Sequence, residues 1–234
     1  MKNLILIYLL ILPAISVAYT LGPTTPGKWG EATMGTGATI TYSFQDAGTC
    51  DAGVLCQGLG SFMPVGFKTE IERAFDAWSA VANLTFFEVA DDGANFNATT
   101  TSGDIRITGH VFDGVSNVLA HGFFPPNNGS TAAGDMHFDV AENWALSLAD
   151  PGISIFQVMA HELGHALGLG HTDVAGSLMN SLYTEAFEGP QADDVAGIQA
   201  IYGAAVSAVP IPATVWLFAL GMFGLIGMRK KVDS

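Results

Sequence analysis

Three histidines and a glutamate fall within one short run, His161-Glu162-Leu163-Gly164-His165-Ala166-Leu167-Gly168-Leu169-Gly170-His171. On a helix of 3.6 residues per turn, His161 and His165 lie one turn apart on one face, so their imidazoles converge. That geometry suits two cis positions on a single metal ion, and zinc is the ion it suits best. Three neutral imidazoles leave a tetrahedral ion one open position, where the pKa of a water falls toward ~7. Glu162, beside the first ligand, is placed to take that water's proton. A straight helix cannot return a third ligand to the same point, so the chain must stop and turn, which Gly168 and Gly170 permit. His171 then closes the site.

The pattern resembles the metzincin clan of zinc peptidases. The clan places a methionine turn beneath the metal, and in Ser177-Leu178-Met179-Asn180 the residue Met179 stands eight positions beyond His171, as it does in the matrixin branch. The resemblance implies an α+β fold in which a twisted, mostly parallel five-stranded sheet packs on about three helices.

The elements that must carry these residues are legible from periodicity. Residues 38–44 alternate and are β-branched, which predicts a first strand. From Phe67 to Val81 the apolar residues Phe67, Ile71, Phe75, Trp78 and Val81 recur at three and four, the stripe of an amphipathic helix. Residues 84–89, 104–108, 118–124 and 136–139 are further strand candidates. Asp150 before Pro151 predicts a helix start, with the histidine helix running from about 151 to 169. Residues 190–202 predict a last helix, opened by Asp193 and Asp194 and ended by Gly203.

The other three histidines, His110, His121 and His137, cluster between positions 110 and 142 and are candidates for a second, structural zinc. This stretch is similar to matrixins at Asp113-Gly114, Leu119-Ala120-His121, Gly134-Asp135-x-His137-Phe138-Asp139 and Glu142-x-Trp144. By that likeness Asp113, Asp139 and Glu142 would give carboxylates to a calcium ion, with backbone carbonyls of Gly114, Ser116 and Val118. The sequence departs from the family in one respect. Matrixins pair the first of these histidines with an aspartate two residues later, and here that aspartate is missing. The second zinc site is therefore open to three readings: three-ligand, solvent-completed or empty.

Composition bounds the partners and the compartment. Between positions 19 and 203 the only basic residues are Lys28, Lys68, Arg73 and Arg106, against 21 acidic ones, the 22nd being Asp233. Such a balance excludes nucleic acid as a natural partner. Residues 1–18 combine Lys2, an apolar run and a Ser16-Val17-Ala18 site, which reads as a signal peptide and predicts export. Cys50 and Cys56 would form a small disulfide loop in an oxidising compartment, two free thiols being the other reading. From residue 204 charge disappears until Arg229. Residues 204–209 read as a linker and 210–234 as a transmembrane helix with a basic end, the C-terminus facing the cytoplasm. Val209-Pro210-Ile211-Pro212-Ala213, the apolar stretch and Arg229-Lys230-Lys231 resemble the PEP-CTERM sorting signals of Gram-negative bacteria. That likeness implies cutting by an exosortase-type enzyme and transfer to the cell surface or extracellular matrix, with a permanent membrane anchor as the other reading.

The resemblance implies hydrolysis of peptide bonds in extended protein substrates, with Glu162 as general base. Tyr183 matches the residue that walls the primed-side pocket of matrixins. No Pro-Arg-Cys-Gly sequence is present, so latency through a cysteine on the zinc is not expected. The competing reading is a catalytically silent surface or matrix protein that keeps a metal-stabilised fold. Glu162 favours catalysis, because a scaffold has no use for a carboxylate beside the metal.

Overall fold

The computed structural model describes residues 18–125 and 132–206. The main elements are β1 (Ala38–Phe44), α1 (Phe67–Ser79), β2 (Leu84–Glu88), β3 (Ile105–His110), β4 (Ala120–Gly122), β5 (Met136–Asp139), α2 (Ile155–Ala166) and α3 (Ala192–Tyr202). The five strands form one sheet in the order β2-β1-β3-β5-β4, parallel throughout except for antiparallel β4 at the edge. The mostly parallel sheet and the three α-helices are those the resemblance implied. The expected signal peptide, apart from Ala18, and the expected 210–234 segment lie outside the described residues. Among the described residues no helix is long and apolar enough to cross a membrane.

Alternation explains how the sheet seats on its helices. In β1, Ile40 and Tyr42 are buried while Thr39 is exposed and Thr41 half-buried, and Tyr42 stacks on Phe75 of α1 with ring centroids 4.2 Å apart. α1 buries Ile71, Ala74, Phe75 and Trp78 on one face, and the Trp78 indole donates to the Ala160 carbonyl of α2 at 3.0 Å. That bond satisfies a polar group inside the interface while the rings fill it. Trp29 likewise donates from its indole to Ala166 O at 2.7 Å, and Tyr202 of α3 donates to Leu167 O at 3.0 Å. The last turn of α2 is thereby held from two sides.

β3 is buried along its whole length. Ile105 and Ile107 belong to the apolar core, while Arg106, Thr108 and His110 alternate with them. The Arg106 guanidinium donates from Nε and Nη2 to the Asp91 carboxylate, both at 3.0 Å, and from Nη2 to Ala94 O at 2.9 Å. Burial alone would raise the Asp91 carboxyl, but bonds from Arg106, the Gly93 N–H and Ser43 outweigh it and hold the pKa below the usual range.

Several expected boundaries shift. α2 does not begin at Pro151. Ile153–Ser154 pairs with Trp144–Ala145 as a two-residue strand, and Ser154 is the N-cap, its hydroxyl accepting from Gln157 N at 3.3 Å. The strand pairing outcompetes the local Asp-Pro signal. The strand expected over 118–124 shrinks to Ala120–Gly122. Gly168 turns the chain with φ 106°, but Gly170 does not turn, since Leu169–Gly170 pairs with Thr20–Leu21.

Candidate metal centres

α2 and the turn after it bring three imidazoles to one point. His161 Nε2 lies 3.2 Å from His171 Nε2, and His165 Nε2 lies 3.1 Å from the same atom. Tetrahedral zinc with nitrogens at ~2.0–2.1 Å requires nitrogens roughly 3.3–3.4 Å apart, so the spacing fits the ion. His161 Nδ1 donates to Leu178 O at 2.7 Å and His165 Nδ1 to Leu169 O at 2.8 Å. A carbonyl can only accept, so these bonds place the proton on Nδ1 and leave the Nε2 lone pairs facing one another. Both lone pairs thus converge on the His171 ring, an arrangement suited to a shared cation. Burial also drives His161 down to about 4 and His165 to about 3, so both rings are neutral, the ligating form, near pH 7.

The carbonyl that orients His161 is itself held in place. Asp194, at the N-terminus of α3, accepts from Leu178 N at 2.7 Å, from Met179 N at 3.0 Å and from the Ser177 hydroxyl, and it also caps Gln191 N at 2.8 Å. Met179 is buried, and a Cβ on Gly164 would stand 2.3 Å from its sulfur. The methionine turn can press against α2 only because position 164 has no side chain. Asp194 was expected merely as a helix-opening acid. Its role in the turn depends on a contact across the fold, which the sequence does not display.

Glu162 is 7 % exposed, and burial pushes its carboxyl up to about 8, against a hydrogen bond from the Gly122 backbone. It lines a cavity of about 350 Å³ together with Val118, Ala120, Gln157, His161 and Tyr183. Tyr183 forms part of the wall of this cavity. Its hydroxyl accepts from Ser154 N at 2.9 Å and donates to Glu185 at 3.0 Å, fixing the wall of the cavity.

A second cluster forms where β3, β4 and β5 lie side by side. His121 and His137 face each other across the β4–β5 ladder, and His110 ends β3. The aspartate absent near His110 is replaced by Asp51, whose side chain meets all three histidines. Hydrogen bonding to His137 holds the Asp51 carboxyl down at about 2, against the opposing effect of burial. Asp51 lies in a short 3-10 turn between Cys50 and Cys56, which are bonded as a disulfide. The sequence reading missed it because its partners are more than fifty positions away.

Among the described residues only these two clusters gather three or more His, Cys, Asp or Glu side chains to ligand spacing. Asp113, Asp139 and Glu142, expected around calcium, do not form a third. Glu142 Oε1 instead accepts from Ser116 N at 2.6 Å, and Asp139 Oδ1 accepts from Ala141 N at 2.9 Å. Asp139 Oδ2 is buried without a hydrogen-bond partner. Gly114 and Ser116 take left-handed φ values of 89° and 70° in the loop that leads to Val118.

A helix and turn presenting three convergent imidazoles, with a buried glutamate against an edge strand, define a metallopeptidase-type centre. The matrixin family model matches residues 61–203, and the chain belongs to the matrixin family. It is 39 % identical over 176 residues to the hatching enzyme of Paracentrotus lividus, covering 71 % of this chain and 27 % of that protein. It is 44 % identical over 135 residues to the interstitial collagenase of Sus scrofa, covering 57 % of this chain and 27 % of the relative. Karilysin of Tannerella forsythia is 37 % identical over 137 residues, 58 % of this chain and 28 % of its own. The chain therefore spans less than a third of each of these relatives. Matrixins use a catalytic zinc with structural zinc and calcium, and the two histidine clusters fit the two zinc positions.

Proposed function

We propose that the chain is an exported zinc-dependent endopeptidase acting on extended polypeptides. The observation that carries this reading is the convergence of three Nε2 atoms beside buried Glu162, at the mouth of a cavity under an edge strand. Zinc bound there supplies a polarised scissile carbonyl and a water acidic enough to lose its proton near neutral pH. Glu162 takes the proton of the attacking water and delivers it to the leaving amine. β4 is the outermost strand, so its free edge offers N–H and C=O groups to a peptide in extended form. The cavity beneath takes one side chain, bounded by Tyr183, and the groups that fix Tyr183 keep that wall rigid.

Export is supported by the formed disulfide, which belongs to an oxidising compartment, and by the signal-like run before Tyr19. The 210–234 segment is read as a sorting signal that holds the protein at the inner membrane until an exosortase-type enzyme cuts it, on the strength of its charge-free stretch and Arg-Lys-Lys end. Calcium is assigned to the loop bearing Asp113, with Asp139 and Glu142, on the unpartnered Asp139 Oδ2.

The test is Glu162→Gln. It should keep the wild-type zinc content and lose about 10²–10⁴-fold in cleavage of casein or gelatin. Equal inactivity of wild type and variant across substrates and pH would make the protein a metal-stabilised scaffold instead.

A further inference from the structure

The second cluster takes its carboxylate from a part of the chain that the family model does not reach. Asp51 precedes the matched residues 61–203 and sits in the loop between β1 and α1. Its Oδ1 is 2.7 Å from His110 Nε2 and 2.9 Å from His137 Nδ1, and its Oδ2 is 3.5 Å from His121 Nε2. All four ligating atoms lie within 4.8 Å of one another, and three imidazoles with one carboxylate form a complete tetrahedral zinc set.

A second observation separates this arrangement from ordinary ion pairing. His110 is 5 % exposed, and its Nδ1 donates to Val111 O at 2.9 Å, so in the neutral ring Nε2 carries the lone pair. Despite lying 2.7 Å from the Asp51 carboxylate, His110 Nε2 has no hydrogen-bond partner. At that distance the missing bond means that Nε2 points past the oxygen, toward the space the four groups share, as a ligand to a common cation does.

The loop that bears Asp51 is fixed to the strand that bears His110. Gln57 N donates to Gly109 O at 2.7 Å, Gly109 N donates to Gln57 O at 2.9 Å, and Thr108 Oγ1 donates to Gln57 O at 3.2 Å. The other arm closes through Cys56 N to Gly48 O at 3.0 Å and Cys50 N to Val54 O at 2.8 Å. Cys50 and Cys56 are buried beneath this turn, so their bond holds Asp51 over the histidines. A short loop without that bond would have to order itself each time the metal bound.

We propose that Asp51 is the fourth ligand of the second zinc site and that the Cys50–Cys56 bond sets the affinity of that site by holding Asp51 in position. This assignment stands apart from the peptidase reading and is tested by metal binding. The full chain, wild type and as Asp51→Asn, Asp51→Glu and the double variant Cys50→Ser/Cys56→Ser, is titrated with zinc against a chromophoric chelator. Serine replacement is preferred to reduction, which would create two thiols able to bind zinc themselves. Wild type should bind two zinc ions, and Asp51→Asn should weaken one of them at least tenfold while leaving the other unchanged. Asp51→Glu should recover part of that loss, and the double variant should fall between wild type and Asp51→Asn. Two unchanged affinities in Asp51→Asn overturn the ligand assignment, and an unchanged double variant overturns the role of the disulfide. Should the variants fail to fold, carbodiimide labelling of wild type decides the ligand. Zinc must protect Asp51 from modification, and equal labelling with and without zinc overturns the proposal.

Discussion

The two histidine clusters use the same donor atoms and are built in opposite ways. His161, His165 and His171 come from one helix and the turn that ends it, while His110, His121, His137 and Asp51 come from three strands and a disulfide loop. The first cluster keeps an open side, with His171 exposed and a cavity beside Glu162. The second has a carboxylate in the fourth position and His137 at 1 % exposure. A closed ligand set contributes folding energy and an open one leaves room for chemistry. Reactivity and stability are therefore divided between two sites made of the same side chain.

The sharpest way to break that division is to remove one ligand from each. His165→Ala should abolish casein cleavage and lose only the smaller stabilisation of a three-ligand, more weakly held zinc. His137→Ala should lose the stabilisation of its zinc, about 4 kcal/mol where free zinc exceeds Kd a thousandfold, and melt several degrees lower. Equal loss of stability in both variants, read by calorimetry in excess zinc, would erase the distinction.

Next in size is the bracing of the strand that carries His110. Asp91→Asn leaves the buried Arg106 guanidinium without its counter-charge and should cost about 3–5 kcal/mol at neutral pH. The native Asp91 pKa is depressed, so its contribution is present above the unfolded value of 3.8 and disappears as pH falls through the native one. The difference between wild type and Asp91→Asn in denaturant melts should accordingly shrink below pH 4. A difference that stayed constant down to pH 2 would contradict the assignment.

The smallest effect belongs to the turn under the first cluster. Asp194→Asn keeps the shape and weakens the charge-assisted bonds to Leu178 N, Met179 N and Ser177, at about 1.5–3 kcal/mol. Because Leu178 O orients His161, the same variant should hold its catalytic zinc more weakly and leave the second zinc untouched. Weakening of both sites together would mean that the turn is a general strut and not a support for His161.

How much could be read in advance follows the same division. A chelate with its ligands at i and i+4 needs only the helical period, so His161, His165 and Glu162 were legible from spacing, and Gly168 marked the turn to His171. The amphipathic stripe of α1 and the alternation of β1 were legible for the same local reason. The start of α2 was misjudged because Ile153–Ser154 has a strand partner that no local signal reveals. The path of the loop that bears Asp113 was not legible from the likeness either. Glu142 is engaged by the Ser116 N–H, a contact set by the path of the loop.

By itself, then, the sequence determined the catalytic helix, its three imidazoles, the alternating sheet and the family, since each depends on periods of two or 3.6 residues or on contiguous motifs. Only the tertiary structure decided that Asp51 meets His110, His121 and His137, and that Asp194 holds the turn that orients His161. Both are contacts between side chains far apart in sequence, and their formation depends on how strands, loops and helix ends pack in three dimensions.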